Sequence, residues 1–343
     1  MTRRRIAPCL LILIVALWVL ARLFPAASIV FSDPADPVLL GNDPWYHLHH
    51  TRASLANYPS ILRWDTGAFY PDGTTSDASG LYNLGMATVA KIVRAEPEDD
   101  SLLITIVALS PVVLGMFSLV FLFLLIREIA GLAVALLAAS FRVLLPGEEL
   151  FRTVAGFGDQ HAAEVTLTTL ILWLMVRYAR GTNSETGLPL SRIANGACLA
   201  LAFWLLLGTW FGALLTTSVV FAGFWVAALA GVENRDQMER IRSFALPFAG
   251  LFFLYLVSTS LFPELVMKRN AHAATLLLLA LQPCLCFLVP RIFPRIQRRL
   301  GKVPGILSMI GIALVSFAVA LTLSPSLQKL VSLLFDEKQS LIS

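Results

Sequence analysis

Nine apolar stretches recur along this 343-residue chain, roughly at 6–24, 102–126, 129–146, 161–177, 193–209, 211–231, 244–262, 272–290 and 304–323. Most are near the twenty residues that a helix needs to cross a bilayer. In hydrocarbon a backbone has no water to bond to, so such runs must close their hydrogen bonds internally, as helices. The rest of the composition agrees. Hydrophobic residues make up 57% and charged residues only 14%, against about a quarter charged in soluble domains. The fold expected is an all-α polytopic membrane protein of nine transmembrane helices. Cys9, Cys198, Cys284 and Cys286 all fall inside apolar runs, which argues for buried, inert thiols rather than a disulfide framework or a zinc site. The opening Met1-Thr2-Arg3-Arg4-Arg5 with its apolar run resembles a signal peptide. Its length and bulky end, Arg22-Leu23-Phe24-Pro25, favour a retained first helix.

Orientation follows from Lys and Arg. With the N-terminus in the cytoplasm, residues 1–5, 127–128, 177–192, 232–243 and 291–303 lie inside, and they hold fifteen of the 26 basic residues but five of the 22 acids. That is the positive-inside bias. The net charge of +4 therefore reports topology and implies no nucleic-acid partner. Two arginines, Arg22 and Arg142, fall within spans and should face protein or a wet cavity. The stretch Gly80 to Ala95 is short and holds Asn83 and Lys91, which suits an amphipathic helix at the membrane surface. The chain then divides into a first span (1–24), a long extracytoplasmic loop (25–101), a helical domain (102–323) and the start of a further outer loop (324–343).

That first loop carries turn signals, among them Tyr70-Pro71-Asp72-Gly73, and long ordered loops are usually functional. Within it, Gly41-Asn42-Asp43-Pro44-Trp45-Tyr46-His47 is followed by Leu48-His49-His50. Asp43 as N-cap with Pro44 at the first helical position is a common helix start. His47, His49 and His50 then belong on the helix surface. A carboxylate there is also a ligand for a hard cation. The second acidic motif, Gly156-Phe157-Gly158-Asp159-Gln160-His161, opens the fourth span. Carboxylate and imidazole two residues apart suit Mn²⁺ or a flexible divalent site, although for this motif alone an interfacial helix cap is the default reading. Arg152 upstream is either an interface residue or a partner for phosphate or carboxylate. Glycines 41, 156 and 158 permit tight turns near a ligand, and Glu164 lies one helical turn beyond His161.

Taken together, the Asp43 motif, Tyr70-Pro71-Asp72-Gly73 and Phe151-Arg152-Thr153-Val154-Ala155-Gly156-Phe157-Gly158-Asp159-Gln160-His161 resemble the catalytic subunit of oligosaccharyltransferases, in the archaeal and bacterial single-subunit style. The resemblance implies a glycosyltransferase C-type membrane domain. It implies transfer of a glycan from a polyprenyl (dolichyl or undecaprenyl) phosphate or pyrophosphate carrier to asparagine of an acceptor polypeptide, on the extracytoplasmic face. It also implies a divalent metal, Mn²⁺ or Mg²⁺, held by Asp43, Asp159 and His161. Arg152 matches the arginine beside the second motif, with a part in catalysis and substrate binding. Leu207-Gly208-Thr209-Trp210-Phe211-Gly212 resembles the turn where the lipid-linked glycan enters, so Trp210, with Tyr46, is expected at the substrate.

The family pattern continues with a glutamate motif after the ninth span, four more spans and an acceptor-reading domain. The ending Phe335-Asp336-Glu337-Lys338-Gln339-Ser340-Leu341-Ile342-Ser343 matches none of these. The expectation is a membrane half, with a separate C-terminal chain as one further partner beside membrane lipid. Two alternatives stay open: a polyprenyl-phosphate-sugar glycosyltransferase with a non-asparagine acceptor, and an inactive or split half that binds lipid-linked glycan.

Overall fold

Helix is the state that closes every backbone hydrogen bond within one segment, and each expected span among the described residues is helical. The computed structural model describes residues 3–33, 35–68, 70–75, 80–181, 189–210, 212–230, 235–261 and 269–300. The ninth expected span and the stretch 324–343 lie outside them, as does Phe211. The helices are α1 (Arg3–Val30), α2 (Asp43–Ala56), α3 (Gly80–Ile92), α4 (Asp100–Ala130), α5 (Leu132–Leu144), α6 (Glu148–Phe151), α7 (Gln160–Gly181), α8 (Pro189–Thr209), α9 (Ala213–Ala230), α10 (Arg235–Ser243), α11 (Ala245–Leu261) and α12 (Arg269–Leu300). Among the described residues, six helical stretches are long and apolar enough to cross a membrane: Ala7–Val30, Asp100–Ala130, Gln160–Gly181, Arg192–Thr209, Asp236–Leu261 and Thr275–Arg295. Two expected spans are shorter helices, Leu132–Leu144 and Ala213–Ala228. At about 1.5 Å per residue the first of these is about 20 Å long, less than the hydrocarbon thickness of about 30 Å.

The chain forms two compact units, one of Met1–Arg180 with Leu205–Ala213 and one of Gly181–Trp204 with Leu214–Ser343. In the first, α4 packs on α5 and α1 on both. Trp18, Leu119, Phe123, Ala135 and Ala139 fill their shared core, and the alanines let the backbones approach. Toward the start of α4, helices α2 and α3 pack on each other and on α4, burying Leu48, Leu55, Ala87, Ala90, Leu103 and Val107. In the second unit an aromatic core of Phe203, Phe221, Phe224, Phe244 and Phe248 joins α8, α9 and α11. Two indole N–H groups there donate between helices, Trp204 of α8 to Ser258 Oγ of α11 and Trp225 of α9 to Gln282 Oε1 of α12, each at 2.8 Å.

Several boundaries depart from the sequence expectation. The first helix runs past Pro25 to Val30, because Ala26 and Val30 are buried and hold the extra turn in place. The turn after the second span falls at Gly131 rather than 127–128, where φ of +87° suits a residue without Cβ. The first loop contains a small strand pair, β1 (Trp64–Asp65) antiparallel to β2 (Thr74–Thr75), closed by the anticipated Pro71-Asp72-Gly73 turn. Asn42 rather than Asp43 occupies the cap position of α2, makes no side-chain cap bond, and leaves Asp43 in the first turn. Cysteines 9, 198 and 284 are exposed on their helices and only Cys286 is buried. A span's apolar residues need face only lipid, so an apolar run does not by itself bury a thiol in protein.

Both arginines that fall within the expected spans turn inward, as a charge in such a position should. Arg22 is fully buried, lies 3.7 Å from the Trp18 ring, and donates Nη1 to Val143 O at 2.7 Å and Nε to Thr153 Oγ1 at 3.3 Å. Arg142 donates Nε and Nη2 to Glu149 Oε1 at 2.8 and 2.7 Å. Val143 O lies in the last turn of α5, where carbonyls lack an intrahelical donor. Hydrogen bonds from a charged donor contribute about 1.5–3 kcal/mol, so Arg22→Ala is expected to cost about 3 kcal/mol. Arg22→Lys, which cannot reach both acceptors at once, should restore only part. Equilibrium unfolding in detergent checks this, and a variant as stable as wild type would refute it.

Candidate active site

Three backbone hydrogen bonds fix the segment that carries Asp159. Pro25 lacks an N–H and interrupts the ladder of α1, and nearby Arg22 O accepts from Ala155 N at 3.1 Å. Pro111 does the same in α4. One turn before it, Val107 O accepts from Ser110 Oγ, and Ala108 O from Gly156 N, both at 2.8 Å. Gly156 O in turn accepts from Leu40 N at 2.9 Å, which joins the approach to the Asp43 motif to the approach to the Asp159 motif. Glycine is required at 156, where φ is +90° and a Cβ would stand 2.5 Å from Val30. At Gly158 a Cβ would stand 2.5 Å from the carbonyl oxygen of Val107. These glycines thus admit close packing against α1 and α4, where the sequence suggested close approach to a ligand.

Asp159 is fully buried. Its Oδ2 pairs with Arg152 Nη1, its Oδ1 stands 3.8 Å from His47 Nε2, and the backbone N–H of His161 donates to Oδ1 at 3.4 Å. Burial pushes the carboxyl up, but the His47 interaction, the nearby His161 and His47 charges and the Arg152 hydrogen bond outweigh it and hold it below the usual range. Arg152 also donates Nε to Glu148 Oε2 at 3.1 Å. Burial lowers its pKa, and the carboxylates of Glu148 and Asp159 more than reverse that. The ring nitrogens of His47 face Asn83 Oδ1 at 2.9 Å and Gln160 Oε1 at 2.6 Å. His161, at the start of α7, has Nδ1 3.2 Å from Glu164 Oε2 and its ring edge-on to Trp210 at 4.9 Å. A pocket of about 220 Å³ opens beside these groups, lined among others by Ser118, Arg142, Glu149, Arg152, Thr153 and His161.

The fold thus gathers four anticipated residues, Asp159, Arg152, His161 and Trp210. Asp43 is exposed in the first turn of α2, one helical turn before His47. The Tyr46 ring lies tilted against His50, with centroids 4.2 Å apart. His47 and His50, anticipated on the helix surface, are buried, because each meets a polar partner on a neighbouring element. Only His49 is exposed. His47 is the functional neighbour that the sequence left out, and its signal was the i, i+4 spacing from Asp43. Asn83 and Gln160 carried no comparable signal.

Two carboxylates and an imidazole are a fitting donor set for Mn²⁺ or another flexible divalent site. His161 meets a further condition: Glu164 engages Nδ1, so Nε2 can serve as a ligand. Among the described residues no group of three or more His, Cys, Asp or Glu is placed to hold a metal ion.

A family model described as "Oligosaccharyl transferase STT3, N-terminal" matches residues 11–326. Among relatives, the dolichyl-phosphooligosaccharide-protein glycotransferase 3 of Archaeoglobus fulgidus is 25% identical over 220 residues, 63% of this chain and 25% of that protein. The dolichyl-monophosphooligosaccharide-protein glycotransferase AglB of Haloferax volcanii is 29% identical over 154 residues, 45% of this chain and 14% of that protein. A solved structure of A. fulgidus AglB with an inhibitory peptide and a dolichol-phosphate superposes with a TM-score of 0.79 at 20% identity, over 97% of this chain and 39% of that one. Another, of the A. fulgidus oligosaccharyltransferase with Zn and sulfate, gives a TM-score of 0.75 at 21% identity, over 92% and 39% of the two chains. These structures share the fold, and the chain spans well under two thirds of them.

A second polar cluster flanks the site. Asp65 on β1 lies 3.4 Å from His49 Nε2 and 3.3 Å from His50 Nε2, and Oδ1 accepts from Gly67 N at 2.8 Å. Burial lowers His50 from 6.5 to about 4; Asp65 opposes the shift, and His49 and His47 add to it. A depressed folded-state pKa contributes stability that is complete above the unfolded value and is lost as pH falls through the folded one. The thermal midpoint should therefore fall between pH 6.5 and about 4. His50→Gln should flatten that fall, and a profile that overlays the wild type would refute the assignment.

Proposed function

The chain belongs to the oligosaccharyl transferase STT3 family, and on that premise we propose that it transfers a glycan from a polyprenyl phosphate or pyrophosphate carrier to asparagine of an acceptor polypeptide. The observation that carries this is Asp159, fully buried, held ionised by Arg152 and His47, and sited in a segment that the family match covers. The dolichol-phosphate and inhibitory peptide bound by the A. fulgidus AglB support the two substrate classes. The topology proposed has nine spans with a cytoplasmic N-terminus, so that both acidic motifs face out. Eight of the nine stretches coinciding with helices supports it, as do the basic loops that it assigns to the cytoplasm.

In this reading Asp43, Asp159 and His161 are the metal ligands. A divalent cation there, Mn²⁺ or Mg²⁺, would supply positive charge against the departing phosphate; the Zn-bound relative supports a divalent ion. Arg152 contributes a planar set of donors that a phosphate can share with Glu148 and Asp159. Trp210 and Tyr46 offer aromatic faces to the substrate. His47 acts on the site indirectly, by tying α2 to Gln160 at the start of α7. Attack of the carboxamide nitrogen on the anomeric carbon forms the C–N bond while the C–O bond to phosphate breaks with its electron pair. The nitrogen gives up a proton, which balances on the released phosphate oxygen, and the anomeric centre inverts.

Asp43→Ala and Asp159→Ala should each reduce transfer at least about 100-fold, the scale on which single electrostatic groups act. The assay follows glycosylation of an Asn-x-Thr peptide by the purified natural protein with dolichol-linked glycan. Activity near wild type in either variant would overturn the assignment of that residue.

A further inference from the structure

His161 is useful as a metal ligand only if its ring is held in one orientation and one tautomer. Neutral imidazole has one N–H and one lone pair, and the hydrogen bond made by one nitrogen decides what the other can do. Here Glu164, three residues along α7 and on the same face, brings Oε2 to 3.2 Å from Nδ1. The pair is sheltered rather than solvated: the side chains are 31% and 15% exposed. The ring also meets Trp210 edge-on at 4.9 Å, a contact that limits its rotation. The backbone N–H of His161 reaches Asp159 Oδ1 at 3.4 Å, so the ring is attached directly beside the buried carboxylate.

We propose that Glu164 is a positioning residue that accepts the Nδ1–H of His161 and so presents Nε2, lone pair outward, to a divalent cation shared with Asp159. The inference rests on the metal-site reading of Asp159 and His161. It assigns to Glu164 the role that carboxylates play behind metal-bound histidines generally, where their loss weakens binding by about 10–100-fold. Arg152 lies nearby but pairs with Glu148 and Asp159, and Glu164 is the carboxylate in contact with the imidazole.

The test is Mn²⁺ affinity of the purified natural protein, read by EPR of free Mn²⁺, with pulsed EPR for the nitrogen of a bound imidazole. Glu164→Ala should weaken Mn²⁺ binding by about 10–100-fold and erase the imidazole signal at saturating Mn²⁺. Glu164→Gln keeps an acceptor oxygen and should lose less while retaining that signal, a rescue that a merely structural role would not produce. If Glu164→Ala does not fold, Glu164→Gln decides: weaker binding supports the proposal and unchanged binding overturns it. Asp159→Asn separates the two levels. Weakened binding in Asp159→Asn with unchanged binding in Glu164→Ala overturns the role of Glu164 alone. Wild-type protein that binds no Mn²⁺ overturns the metal site and this proposal together.

Discussion

A segment that is not helical, set among helices that cross lipid, must find a partner for every backbone polar group it buries. The stretch Ala155–Gly156 solves this with carbonyls from helices interrupted by proline. Pro25 and Pro111 each remove a donor from their ladder, and Arg22 O and Ala108 O, close to those breaks, accept the two N–H groups. Each acceptor lies one residue beyond the carbonyl, of Ala21 or Val107, that the proline leaves without its usual donor. Everything downstream depends on it. Asp159 begins α7 where it does because the chain behind it is fixed to α1, α4 and Leu40.

The charged groups follow the same economy. Arg22 serves the carbonyl end of α5 and the hydroxyl of Thr153, while its backbone oxygen serves Ala155. One residue thus ties a span to the site-bearing segment through both its side chain and its main chain. Arg142 and Arg152 then pair with neighbouring acids of the short α6 turn, Glu149 and Glu148. A bare buried carboxylate would rather be neutral. Arg152 and His47 keep that of Asp159 ionised, which is the state that binding a cation requires.

Much of this was legible in the residues. Apolar runs are an averaged signal over about twenty positions, so eight helices came through despite shifted ends at Val30 and Gly131. The two acidic motifs were legible because turn formers surround them, and their proximity followed from a topology argument. Pairwise contacts were not legible. Nothing in the spacing of Asn83, Gln160 and His47 announces that they meet, since they come from α3, α7 and α2. The turn at Gly156 was legible, but the packing partners of Gly156 and Gly158 were not, because a glycine signals close approach without saying of what.

Helix α2 makes that last point in energetic terms. A stretch carrying three histidines and an aspartate gains little from lipid, and sequence alone leaves it as a polar surface helix. In the folded chain its polar face is divided between two partners. His47 is spent on Asn83 and Gln160, and His50 on Asp65 of the strand pair. The two buried imidazoles thus face different elements, α3 and α7 for His47 and β1 for His50, and together they fix which face of α2 turns inward. Asp43 stands one turn ahead of His47 on the same helix, so the buried histidines behind it, rather than bonds of its own, hold the exposed aspartate in place.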